Sequence, residues 1–298
     1  MKQVQQKAGY TTEVWKTVWS MGCIALCALL TLTSAVAAPA PKHRQIMTYD
    51  VYAGGFHVVE ANLEVDLGKP KRYRLELDAK TRGFLRTLAP WDGTFETTGW
   101  YDSRRETPHP EIHRSSAVWR DELEAKEYKY RKDGGFQEYR VTDEYSKNEK
   151  RGVEKELTDK TTDVLSATLA VMEKISDGQK CEGTSEVFDG DRRYRMIFRD
   201  QGQVNLTATR YNLYEGPATQ CVVEVQPVAG KWHKKPRGWM SIQEQGRQHG
   251  SLPTVWLAKM SEGEPAVPVK IRVKTDYGTL FMHLTGYQNG TKVLKMKD

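Results

Sequence analysis

His109-Pro110-Glu111-Ile112-His113 holds the one close histidine pair in the chain, and a metal would need both rings on one face with a third ligand elsewhere. Pro110 opposes the helix that would align histidines four apart, so the pair is expected at a solvated strand end or loop, not at a metal. Ser166, in Leu-Ser-Ala-Thr, lacks the Gly-x-Ser-x-Gly elbow of an activated serine and falls within a helical pattern, so a structural role is expected. Carboxylates are plentiful, and two flanking a cleft would suit glycoside hydrolysis, but linear spacing does not say which two face each other. No Gly-rich phosphate loop or dinucleotide fingerprint occurs. The sequence therefore names no catalytic residue, metal ligand or cofactor.

The cysteines depend on compartment. Residues 1–37 place Lys2, Lys7 and Lys16 ahead of an apolar stretch, Val18–Val36, that ends in the small residues Ala35-Val36-Ala37. That is the order of a cleaved secretory signal peptide, with an uncleaved anchor as the alternative. Cleavage would remove Cys23 and Cys27 and leave Cys181 and Cys221, an even pair in an oxidising compartment, so a disulfide is expected between them. Neither Lys-Cys-Glu-Gly nor Gln-Cys-Val-Val supplies the base a nucleophilic thiolate needs. Asp189-Gly190-Asp191 lacks the twelve-residue pattern of a calcium loop and reads as a hairpin turn.

Loss of three lysines and one glutamate with residues 1–37 would lower the formal charge from +6 to +4. Basic and acidic residues alternate, as in KNEKRGVEKE (147–156), which is the pattern of a solvated surface and not of a nucleic-acid binder.

The elements that would position these residues follow from periodicity. Residues 38–45, APAPKHRQ, have little to bury and read as a disordered leader, with a single β-rich domain expected over 46–298. The dominant period beyond is two: Val59, Ala61, Leu63, Val65 and Leu67 alternate with polar residues, as do Tyr73, Leu75, Leu77 and Ala79. Similar strands are expected at 94–101, 127–132, 194–198, 204–211, 221–225, 267–273 and 279–284. One segment, 161–176, instead spaces Val164, Leu165, Thr168, Leu169, Met172 and Ile175 by threes and fours, with Thr162 or Asp163 as cap and Asp177-Gly178 as stop. The expected architecture is mainly β, an antiparallel sheet covered by one amphipathic helix. Trp91, Trp100 and Trp256 would pack in the core or, with Leu165, Leu169 and Met172 of the helix, line a groove for an acyl chain or similar apolar body.

The stretches TYDVYAGGFHVVEANLEV (48–65), TRGFLRTLAPWDGTFETTGW (81–100), TTDVLSATLAVM (161–172), VFDGDRRYRMIF (187–198) and TVWLAKMSEGEPAVPVKIRVKTDYGTLFMHLTGY (254–287) resemble, in that order, a family of exported bacterial proteins of unknown function, DUF3108. The resemblance implies a periplasmic protein with a strongly curved sheet, a half-barrel or β-spiral, wrapped around the helix, similar to lipoprotein carriers and β-spiral envelope proteins. It brings no catalytic residues. The function expected is non-enzymatic support of the cell envelope, through a lipid or lipoprotein ligand or an envelope protein partner. The alternative is an envelope hydrolase or metal-dependent enzyme using acidic residues or His109 and His113.

Overall fold

The computed structural model describes residues 44–101, 107–232, 251–275 and 278–296. The segment expected as a signal peptide, with Cys23 and Cys27, lies outside them. In chain order the elements are β1 (Arg44–Ala53), β2 (Phe56–Asp66), β3 (Arg72–Thr81), α1 (Gly83–Leu88), β4 (Trp91–Tyr101), β5 (Pro108–Trp119), β6 (Glu122–Tyr130), β7 (Phe136–Thr142), β8 (Glu149–Arg151), α2 (Lys155–Thr158) and α3 (Val164–Ser176). There follow β9 (Gly183–Phe188), β10 (Arg192–Leu206), β11 (Gly216–Gly230), β12 (Thr254–Ala258), β13 (Val267–Thr275), β14 (Gly278–Asn289) and β15 (Lys292–Lys295).

All fifteen strands belong to one antiparallel sheet, in the order β8-β7-β6-β5-β4-β3-β2-β1-β14-β13-β12-β11-β10-β9, with β15 beside β14. Two meanders, β1–β8 and β9–β14, are thus zipped together by β1 and β14. The ladder does not close, because β8 and β9 end it. The α2–α3 segment connects those two ends, and residues just before α3 reach β9: the amides of Thr162 and Phe188 donate to Glu186 and Thr162 carbonyls at 2.8 and 3.1 Å. Phe188 of β9 then packs against Tyr128 of β6 and Tyr139 of β7, with ring centroids 5.4 and 6.1 Å apart. Side chains cover edges that backbone hydrogen bonds leave open, as exposed strand edges require.

Strands form where period two is clean: β3, β4, β10, β11, β13 and β14 contain the stretches expected at 73–79, 94–101, 194–198, 221–225, 267–273 and 279–284, while β2 ends at Asp66 and β6 at Tyr130, just short of theirs. Two expectations need correction. Arg44 and Gln45 are not leader but the start of β1; Gln45 is fully buried, its Nε2 donating to the Pro265 carbonyl and its Oε1 accepting from Tyr287, so a polar residue is buried by being satisfied. The strand expected over 204–211 stops at Leu206, because Thr209 and Asn212 fold the next residues into a turn. The histidine segment, expected at a strand end or loop, forms the first half of the twelve-residue β5.

The helix is where the periodicity puts it, from Val164, with Asp163 accepting from the amides of Leu165 and Ser166 as its cap. It is not amphipathic in the expected sense. Leu165, Ser166, Ala167, Leu169, Val171, Met172 and Ile175 are buried around the whole circumference, and no residue of α3 is exposed. A helix covered on every side is an internal element, not a surface lid. Its partners come from both meanders: Tyr73 of β3 and Tyr101 of β4 bond Ser166 and Glu173, while the Ala266 amide, just before β13, donates to the Met172 carbonyl at 3.0 Å.

Candidate functional site

The residues singled out in the sequence do not assemble into one site. In β4, Trp91 and Trp100 are nine positions apart, which puts them on opposite faces of a regular strand. Trp91 has the parity of Thr97 and Tyr101, which face α3, whereas Trp100 stacks on His109, 6.1 Å between centroids. Leu165, Leu169 and Met172 are packed into the main apolar core, and neither Trp91 nor Trp100 belongs to that cluster. Trp256 belongs to it, on a β12 that is buried along its full length. The expected groove of six residues is therefore not one space.

The histidine pair is split as well. Thr98 pairs with Ile112 and Gly99 with Pro110, so Glu111 is an extra residue that bulges β5. Gly99 fits there because a Cβ would lie 2.1 Å from the His109 carbonyl oxygen. The bulge turns Pro110 and His113 inward while His109 stays on the other face. Among the described residues no group of three His, Cys, Asp or Glu is placed to hold a metal.

His113 instead joins Ser166, a pairing not legible in sequence. Asp163 is buried at the helix N-terminus; its Oδ1 accepts from Thr97 at 2.8 Å and lies 3.3 Å from His113 Nδ1, while Oδ2 accepts from Ser166. Thr97 also bonds His113 Nδ1 at 2.7 Å, Tyr73 bonds Ser166 at 2.7 Å, and His113 stacks flat on Tyr128. Burial pushes the Asp163 carboxyl up, but His113, Ser166 and Thr97 together hold it below the usual carboxylate range. Serine, histidine and aspartate meet here, yet Ser166 donates to the aspartate and not to the histidine that a nucleophile needs as base. With Thr97, His113, Asp163 and Ser166 all buried, the arrangement is a polar joint fastening α3 to β3, β4 and β5.

A second joint fastens the other end of the helix. Cys181, five residues after Ser176, is bonded to Cys221 of β11, and the Cys181 amide donates to Asp200 of the intervening β10. The expected disulfide is thus present, as is the hairpin turn: Asp189 accepts from the amides of Asp191 and Arg192, and Gly190 takes a φ of +98°.

The cleft with an apolar lining lies on the outer face of the sheet, on the side away from α3. Register aligns Trp256, Lys270, His283 and Asp50 across β12, β13, β14 and β1, and beside them Thr254, Arg272, Phe281 and Tyr52. The β10–β11 connection folds over this face. Its Leu213 amide and Asn212 side chain bond the carbonyls of Leu284 and Val269, which brings Tyr211 to 4.8 Å from Tyr52 and stacks it on His283. The resulting cleft, about 680 Å³, is walled by Tyr52, Tyr211, Phe281 and His283 and flanked by Lys270 and Arg210; among the described residues no carboxylate lines it. Lys270 Nζ sits over the rings of Trp256 and Phe281 at 5.1 and 5.6 Å, and Arg210 over Tyr211 at 4.7 Å. Burial, and then Lys270, push His283 down to about 4, so the imidazole is neutral near pH 7; burial and Arg272 lower Lys270.

The model for the family described as "Protein of unknown function (DUF3108)" matches residues 48–285. The chain belongs to the DUF3108 family. Among solved structures, this DUF3108 protein is similar to a beta-barrel-like protein of domain of unknown function DUF1849 from Brucella abortus, with 12% identity over 83% of this chain and 97% of that one and a TM-score of 0.46. No curated protein matches the sequence. No helix among the described residues is long and apolar enough to cross a membrane.

Proposed function

We propose that this DUF3108 protein is a non-enzymatic binding protein of the periplasm that supports the cell envelope by holding a hydrophobic ligand in the outer cleft. The observation that carries the reading is the cleft itself: Tyr52, Tyr211, Phe281 and His283 surround a volume in the range of small-ligand sites that none of the described residues fills. The Cys181–Cys221 bond fits an oxidising compartment, and the signal-like order of residues 1–37 fits export. In this reading the sheet curls around α3 as a half-barrel, which accounts for helix contacts with both meanders and for Phe188 bridging the two ends of the ladder. The helix then fills the concave side, and ligand is left the convex side.

Native mass spectrometry of protein taken from gently solubilised membranes tests it. The expected result is a co-purifying small amphiphile, lost in Tyr211→Ala and Phe281→Ala variants. A bare monomer that also fails to bind a panel of lipids contradicts it.

A protein partner is the second reading, favoured by Phe56, Phe84, Leu88 and Trp119, which are 47–65% exposed at or beside the β1–β2, β3–β4 and β5–β6 connections, all at one end of the sheet. A photo-crosslinker in place of Phe84 should give one discrete adduct in cells if this reading holds, and none if it does not.

A further inference from the structure

The cations beside the cleft differ from those on β2–β7; elsewhere on the sheet Lys292 of β15 also lies over a ring, that of Tyr287, but it bonds the Met260 carbonyl. On β2–β7 the outward charges neutralise one another across strands, as in Arg74 with Glu64, Glu76 and Glu96, or Arg114 with Glu96 and Glu127. Lys270 and Arg210 pair with no carboxylate among the described residues, although Lys270 is partly withdrawn from water. Arg272, in the next register position, bonds the Thr254 hydroxyl, lies over Trp256 and pairs with no carboxylate among the described residues. A desolvated ammonium without a counterion costs free energy, and aromatic faces return only part of it. The fold does not need a cation at 270 to bury an apolar strand, since the inward residues Val269, Ile271 and Val273 supply that face.

We infer that the ligand of this cleft is an anionic amphiphile, its phosphate or carboxylate head seated between Lys270 and Arg210 and its apolar body against Tyr52, Tyr211 and Phe281. The inference rests on the cleft being a ligand site and adds the charge of what it takes. Charge-assisted hydrogen bonds from Lys270 and Arg210 would hold the head. The neutral His283 ring offers the body an apolar, stackable wall.

Isothermal titration of the purified protein with three probes separates the possibilities: a lysophospholipid with a phosphoglycerol head, one with a phosphocholine head and the same chain, and inorganic phosphate. The expected result is binding of the anionic lysolipid at least about tenfold tighter than the zwitterionic one, weaker at high salt, with the preference abolished by Lys270→Gln and Arg210→Gln while melting temperature is unchanged. Equal affinity for the two lysolipids overturns the anionic assignment and leaves the cleft as a site for uncharged apolar ligands. Inorganic phosphate binding as tightly as the lysolipid overturns the amphiphile. Binding of none of the three overturns both this inference and the proposed function.

Discussion

Two regions of the sheet, β2–β8 on one side and β12–β14 with β1 on the other, solve the same problem, an outer face open to solvent, in opposite ways. On β2–β8 a row of residues in register, Glu64, Glu76, Glu96, Arg114, Glu127, Arg140 and Lys150, runs across seven strands, and Arg74 and Lys129 stitch neighbouring carboxylates together. Glu138, on the same face, is held down at about 2 by hydrogen bonds from Arg140 and then Lys150. The depression there of about 420 Å³ is lined by such paired groups and asks for nothing further. On β12–β14 and β1 the equivalent rows carry rings and cations that pair with no carboxylate among the described residues. The first face is balanced internally; the second is where a ligand is proposed.

The helix between the meanders is tied to each by a different joint, and the largest effects should come from cutting these. Replacing Cys181 and Cys221 together by serine frees a loop closed over 40 residues and should cost about 4 kcal/mol in oxidising conditions on the loop-entropy model. The reduced wild-type and variant should unfold at the same urea concentration. Asp163→Ala leaves His113 and Thr97 without their buried acceptor and the helix without its cap, so a loss of about 3 kcal/mol is expected by urea unfolding. If either change were neutral, the corresponding meander would hold the helix by packing alone.

Smaller effects sharpen the contrast between the faces. Arg114→Gln removes two ion pairs on the balanced face and should cost up to about 1 kcal/mol, diminishing with salt. Lys270→Gln removes none and should leave stability unchanged or slightly higher while abolishing preference for anionic ligand. Equal destabilisation by the two would mean that the fold uses both cations alike.

A further effect appears only in acid. His283 faces Lys270, Phe281 and Tyr211, with Asp50 opposite it in register, and its folded pKa of about 4 lies below the unfolded value near 6.5. The unfolded chain therefore binds the extra proton first, and stability should fall as pH drops from about 6.5 toward 4. His283→Phe should flatten that part of the profile in thermal melts at several pH values.

Much of this was legible in sequence. Strands with one wet face declare themselves by period two, α3 by its spacing and its Asp163 cap, and the disulfide by the even pair of cysteines beyond residues 1–37. The β5 strand was hidden because the bulge at Glu111 breaks the period just where two histidines and a proline draw attention to other chemistry. The burial of α3 on all sides was hidden because Ser166 and Glu173 look like a polar face until Tyr73 and Tyr101 meet them from β3 and β4. The cleft joins residues from 52 to 283 by strand register and one loop, which no local pattern encodes. One local signal did exist: in TLFMHL both parities are apolar or aromatic, and a strand with two such faces has something lying on its outer side.

The central claim is that the site lies on the outer face and not between helix and sheet. A titration of the isotope-labelled protein with the anionic lysolipid, followed by amide chemical shifts, tests it most directly. The account predicts saturable shifts at Tyr52, Tyr211, Lys270, Phe281 and His283 with Leu165, Leu169 and Met172 unmoved; shifts centred on the α3 residues, with the outer face silent, would contradict it.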